Sequence, residues 1–176
     1  LAATAKMPIV SGAARGIDSS AMAGALENGG DVIGVMADSL GKAALAKGNR
    51  QALLDGQLVL VSAYDPSAGF NVGNAMKRNK AIYALADAGL VVTVDFNKGG
   101  TWAGAIEQLE RLRLVPVFVC NGAKSGQGSA ALIDRGGIPW PEPKNSEELA
   151  TAIAQAVEAN AHKPRCEQLG LNVGED

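Results

Sequence analysis

Aromatic side chains are scarce, with Phe, Trp and Tyr making up 4% of the 176 residues. A core therefore has to be assembled from Ala, Val, Leu and Ile, and few rings are left on which nucleic-acid bases could stack. Histidine is rarer still. The single His162 sits near the C-terminus, so no histidine cluster can hold a metal and a Ser-His-Asp relay has no imidazole to use. The two cysteines, Cys120 and Cys166, follow no zinc spacing and make no disulfide framework, which fits a reducing compartment. An excess of positive charge is also lacking: 16 Lys and Arg face 18 Asp and Glu, a formal charge of −2. No global field then draws the chain to nucleic acid or anionic lipid, and any polyanion has to meet a local patch. No apolar run approaches the length of a bilayer span, and the opening Leu-Ala-Ala-Thr-Ala-Lys lacks the apolar centre of a signal peptide. A soluble, cytoplasmic chain without a membrane partner is expected.

What is abundant is small and aliphatic. Hydrophobic residues make up 47% of the chain and glycine contributes 22 positions, a mixture suited to one α/β domain with many tight turns. Short β-branched runs alternate with longer Ala/Leu-periodic stretches, as when crossover helices join parallel strands. Five strands are predicted at Met7 to Val10, Asp31 to Met36, Leu58 to Ser62, Leu90 to Phe96 and Val115 to Cys120. Helices are predicted at Ser19 to Asn28, Asn49 to Leu54, Gly73 to Ala86, Trp102 to Leu112 and Ser129 to Arg135. A last helix opens with a capping box from Asn145 to Glu148 and keeps one apolar face through Val157. The link from Ile138 to Pro143 is too rich in proline for a helix and reads as an extended connector. The fold class is α/β, a Rossmann-like doubly wound, mainly parallel sheet of about five or more strands covered on both faces, filling residues 1–160. Residues 161–176 have little periodicity and read as a loosely held tail.

In a parallel sheet every strand-to-helix turn lies on the carboxyl edge, so the glycine turns of this chain should share one crevice. The first is Ser11-Gly12-Ala13-Ala14-Arg15-Gly16-Ile17-Asp18, where small residues let backbone N–H groups approach an anion and Arg15 adds a forked charge. It matches neither G-x-G-x-x-G nor a P-loop, and a plain tight turn capped by Asp18, with Arg15 solvated or ion-paired, stands beside that reading. The second is Asn97-Lys98-Gly99-Gly100-Thr101, opening the helix at Trp102, and a third runs from Asn121-Gly122 to Gly126-Gln127-Gly128-Ser129. The one dense basic run, Lys77-Arg78-Asn79-Lys80, has Asn71 and Asn74 as neighbours and reads either as a solvated face or as a phosphate-facing patch. Of the rings near these turns, Tyr64 and Phe70 precede the basic helix, while Trp102 reads as core packing or loop support. Cys120 reads as a small core residue, and Asp95 as a ligand for a ribose hydroxyl or a cap.

Together, the Ser11 to Asp18 stretch, Arg78-Asn79-Lys80, Gly99-Gly100-Thr101 and Gly126-Gln127-Gly128 followed by Leu132-Ile133 resemble the Rossmann-like domain of the DNA-processing (DprA/Smf) family, from about Val10 to about Val157. The resemblance implies single-stranded DNA binding, protection of incoming DNA during transformation, and loading of the recombinase RecA; it implies no catalysis, metal or cofactor. Gly12, Arg15 and Gly16 match the family's first anion-binding turn, Arg78 and Asn79 its Arg-Asn pair, and Gly99 to Thr101 its later glycine turn. With Ser11, Lys77 and Lys98 added from the turns and the basic run themselves, phosphate or nucleic-acid contacts are expected at Ser11, Gly12, Arg15, Gly16, Lys77, Arg78, Asn79, Lys98, Gly99, Gly100 and Thr101.

The chain also departs from the family pattern. Met22 stands where the family usually has His, Ser62-Ala63 replaces Ser-Glu, Asn121-Gly122 replaces Pro-Gly, and the family's first strand and helix, with their Gly-Ser-Arg turn, would precede Leu1. A nucleotide or nucleotide-derived ligand is therefore an alternative to DNA. An enzymatic alternative is kinship with LOG-type nucleoside-monophosphate phosphoribohydrolases, which share the Gly-Gly-Thr turn. Their carboxylate just after the Thr is replaced here by Ala103 and Gly104, and the next acidic residue is Glu107. If strands are bound, the acidic net charge favours a homodimer that lengthens the basic track.

Overall fold

The computed structural model describes residues 1–122 and 126–161. The expected alternation is present. β1 (Ile9–Ser11), α1 (Ile17–Glu27), β2 (Val32–Met36), α2 (Leu40–Leu45), α3 (Lys47–Leu54) and β3 (Leu58–Ser62) form the first half, and α4 (Val72–Ala84) leads out of it. The second half comprises β4 (Gly89–Val91), α5 (Gly99–Ile106), β5 (Val117–Val119), α6 (Gln127–Asp134), β6 (Ile138–Pro139) and α7 (Ser146–Ala161). The predicted tail beyond α7, with His162 and Cys166, lies outside the described residues.

All the strand pairs are parallel, as predicted, but the single sheet of five or more strands is corrected to two sheets of three, ordered β1-β2-β3 and β4-β5-β6. Among the described residues no ladder joins β1 to β4. The cause is visible in β4, which keeps Gly89 to Val91 and then leaves the sheet, so that most of the apolar run predicted as strand is a loop. A sixth strand went unpredicted because proline argues against pairing. Ile138 and Pro139 nevertheless align with Phe118 and Val119, and Trp140 donates its N–H to the Val119 carbonyl at 2.9 Å. Alternate residues of a strand face alternate sides, so the missing Pro139 donor points away from β5 on an edge strand, where it costs no ladder bond.

Each sheet has its own core. Ala25, Val32 and Leu58 are buried in the first, with Met22, Leu26, Leu53 and Leu60 packed on them. Val91, Trp102, Ala105, Val117, Val119 and Leu132 form the second, confirming Trp102 as a core residue. α4 ties the two together, since Tyr83 packs against the second core while Arg78 bonds to the first sheet. α5 runs on as a π-helical stretch, Glu107–Leu112, where fully buried Gln108 donates to the Val115 carbonyl at 2.8 Å and so fixes the approach to β5. The predicted capping box of α7 is formed: Glu148 N–H donates to Asn145 Oδ1 and the Glu148 carboxylate accepts from Asn145 Nδ2 and Lys144 N–H, each at 2.8 Å. Among the described residues no helix is long and apolar enough to cross a membrane.

Candidate nucleic-acid interface

The site is assembled at the carboxyl edge, where α4 comes down between the two sheets. Asn71 caps α4 by accepting the Asn74 N–H at 3.1 Å, and Tyr64 braces the same turn by donating its hydroxyl to the Asn74 carbonyl at 3.1 Å. Those contacts engage the Asn71 side-chain oxygen and the main chain of Asn74, not the side-chain amide donors that the sequence offered. They also fix the helix rotation that carries Arg78 and Asn79 inward. Arg78 Nη1 donates to the carbonyl of Gly12, just after β1, and to that of Val35 in β2 at 2.7 Å. Asn79 Nδ2 reaches the Gly100 carbonyl at 3.4 Å. Two adjacent residues of one helix thus bridge the first and second glycine turns, which lie in different sheets.

Gly12 owes its identity to this bridge. A Cβ at position 12 would overlap the Arg78 guanidinium, reaching within 2.6 Å of Nη2. Gly104 makes similar room, since a Cβ there would stand 3.1 Å from Asn79 Nδ2. Gly16 is needed for another reason: it precedes α1 with φ at 99°, which a side chain would strain. Asp18 does not cap α1, contrary to the sequence reading; Gly16 is the N-cap, without a side-chain cap hydrogen bond, and its carbonyl accepts from Ser19 Oγ at 3.0 Å. Asp18 instead lies in the first turn, where its charge still complements the helix dipole. Burial pushes the Arg78 pKa down, and the charges of Asp18 and Asp38, with Tyr64, oppose that shift and help keep the guanidinium cationic.

The remaining predicted residues divide by exposure. Ser11 is buried at the end of β1, whereas Arg15, Lys77, Lys98, Gly99, Gly100 and Thr101 are exposed. Among the described residues Arg15, Lys77 and Lys98 enter no salt bridge. Lys80 differs: it pairs with Glu107 at 2.8 Å, and Glu107 also takes Arg111 at 3.2 Å. The one carboxylate that a hydrolase reading could have recruited is therefore engaged by two cations. In the third turn, residues 123–125 lie outside the described residues, but Gly128 is buried so tightly that a Cβ would approach Phe96 N to 2.9 Å. That turn packs against the loop after β4. Burial and Glu142 raise the Cys120 thiol pKa, keeping it protonated at neutral pH. Among the described residues no group of three or more His, Cys, Asp or Glu side chains could hold a metal.

Sequence reasoning missed two participants. The Val35 carbonyl carried no side-chain signal, and Phe96, assigned to a strand, stands in the loop before Lys98.

The family model of DNA recombination-mediator protein A matches residues 1–154. In fold, the chain is similar to the X-ray structure of DNA processing protein A (DprA) from Streptococcus pneumoniae, with a TM-score of 0.65 and 23% sequence identity. That match covers 85% of this chain and 53% of the pneumococcal one, so the chain spans about half the length of that relative. No curated protein sequence gives a significant match. A family model covering residues 1–154 settles the kinship: the chain belongs to the DNA recombination-mediator protein A family, the DprA/Smf family.

Proposed function

We propose that this domain binds the sugar-phosphate backbone of single-stranded DNA along its carboxyl edge, in DNA uptake by transformation and in recombination. The observation that carries the reading is the bridge from α4: Arg78 and Asn79 hold the Gly12 and Gly100 turns together, with Arg15, Lys77 and Lys98 exposed around them and, among the described residues, in no salt bridge. Cations and turn amides suit phosphates, which position a strand without reading its sequence. Arg78 serves first as a tether, because Nη1 is committed to two carbonyls; Nη2 makes no hydrogen bond among the described residues and is left for an anion. Transfer of the strand to RecA rests on family membership alone. Pairing with a second copy would extend the track, as the acidic net charge of the chain favours.

Binding of a labelled oligothymidylate, with duplex DNA and mononucleotides as competitors, tests the reading. Single strands should compete best, duplex less well, and mononucleotides hardly at all. Tight binding of a mononucleotide with no binding of the oligonucleotide would replace DNA by a nucleotide ligand.

A further inference from the structure

Rings are few in this chain, and besides Phe70 before α4 the fold leaves Phe96 exposed at the proposed track. Phe96 lies in the Asp95 to Lys98 turn, which is closed by the Lys98 N–H donating to the Asp95 carbonyl at 3.4 Å. Its ring packs edge-on against Trp102, with centroids 5.1 Å apart and planes at 66°. Trp102 is itself only 8% exposed and carries Arg135 over its ring, 5.6 Å from the centroid. The backbone of Phe96 is confined by Gly128 of α6, where no Cβ could be accommodated. The ring is thus braced on one side and along its backbone, yet 51% of the residue remains open to solvent.

A large apolar ring held half in water is costly unless something covers it. Two residues further on stands Lys98, exposed and in no salt bridge among the described residues, followed by the Gly99 and Gly100 amides at the start of α5. A nucleotide whose phosphate met Lys98 would bring its base to the same turn, which also carries Phe96. Because the ring is already fixed, stacking a base on it costs little conformational entropy. In a duplex each base is already covered on both faces by its neighbours, so only an unpaired base is free to cover Phe96.

We propose that Phe96 is a base-stacking platform, the residue through which this site selects unpaired nucleobases over duplex. The proposal rests on the phosphate-track reading above and adds a base contact to it. The test compares wild type, Phe96→Leu and Phe96→Trp on an oligothymidylate and on an abasic tetrahydrofuran oligonucleotide of equal length. Phe96→Leu should weaken oligothymidylate binding about tenfold, by the usual worth of one stacked base. It should leave abasic binding and the salt dependence unchanged, and Phe96→Trp should bind as wild type. Should the leucine variant fold poorly, Phe96→Trp still decides: the fluorescence of its new indole should be quenched by oligothymidylate and not by the abasic strand. Equal loss on both ligands, or no loss on oligothymidylate, overturns the stacking role while leaving the phosphate track intact. Failure of wild type to bind either strand removes the track, and the platform with it.

Discussion

Arg78 shows how one side chain can organise a site before it touches any ligand. Its two carbonyl contacts hold α4 against the first sheet, and Gly12 exists as glycine to let the guanidinium through. Gly12→Ala should therefore cost roughly 1–3 kcal/mol of stability, the usual penalty for forcing atoms into an occupied space. Thermal unfolding measures it, and an unchanged melting temperature would mean that Arg78 is free to move aside. Tyr83 offers a second residue-level test. Burial of its ring between α4 and the second core raises its pKa from 10.0 to about 12, because the phenolate would lose its hydration. A pKa raised on folding contributes stability that is complete below the unfolded value and lost as pH climbs through the folded one. Stability should thus fall between about pH 10 and 12, by roughly 3 kcal/mol from this group. Denaturant unfolding of Tyr83→Phe should lack that component; a variant with the parent's full alkaline loss contradicts it.

Elements were legible where the signal is local. Asn145 and Glu148 announced the start of α7, and the reciprocal bonds are present. Asn145→Ala should accordingly cost about 1 kcal/mol. Urea unfolding checks this, and a loss near zero would mean that packing alone fixes the helix start. Elements were illegible where the deciding partner is distant. β4 is a run of apolar residues that the sequence extends to Phe96, yet the loop after Val91 is set by α6, whose Gly128 packs on residues 94–96. β6 was hidden by its proline, whose permissibility depends on lying at an edge facing away from β5. The glycine turns fall between these cases. Their position on the carboxyl edge follows from parallel topology, but the bridge between them is made by Arg78 and Asn79, far away in sequence. No spacing rule shows that Lys80 is withdrawn from the basic run by Glu107 while Lys77 is left exposed.

For the whole molecule, an acidic chain of formal charge −2 is asked to bind a polyanion, so the affinity must come from a few well-placed cations. Two three-stranded sheets joined through α4 give a long carboxyl edge, with Arg15 near one turn and Lys98 in the other. With Lys77, these exposed cations would form one phosphate track. The salt dependence of oligothymidylate affinity tests it most directly, because each phosphate neutralised adds about 0.7 to the slope of log affinity against log salt for single strands. The triple variant Arg15→Ala, Lys77→Ala, Lys98→Ala should keep the wild-type melting temperature, bind more weakly at low salt and show a slope shallower by about 2. A triple variant that binds with wild-type affinity and slope would place the DNA elsewhere on the molecule and contradict the account.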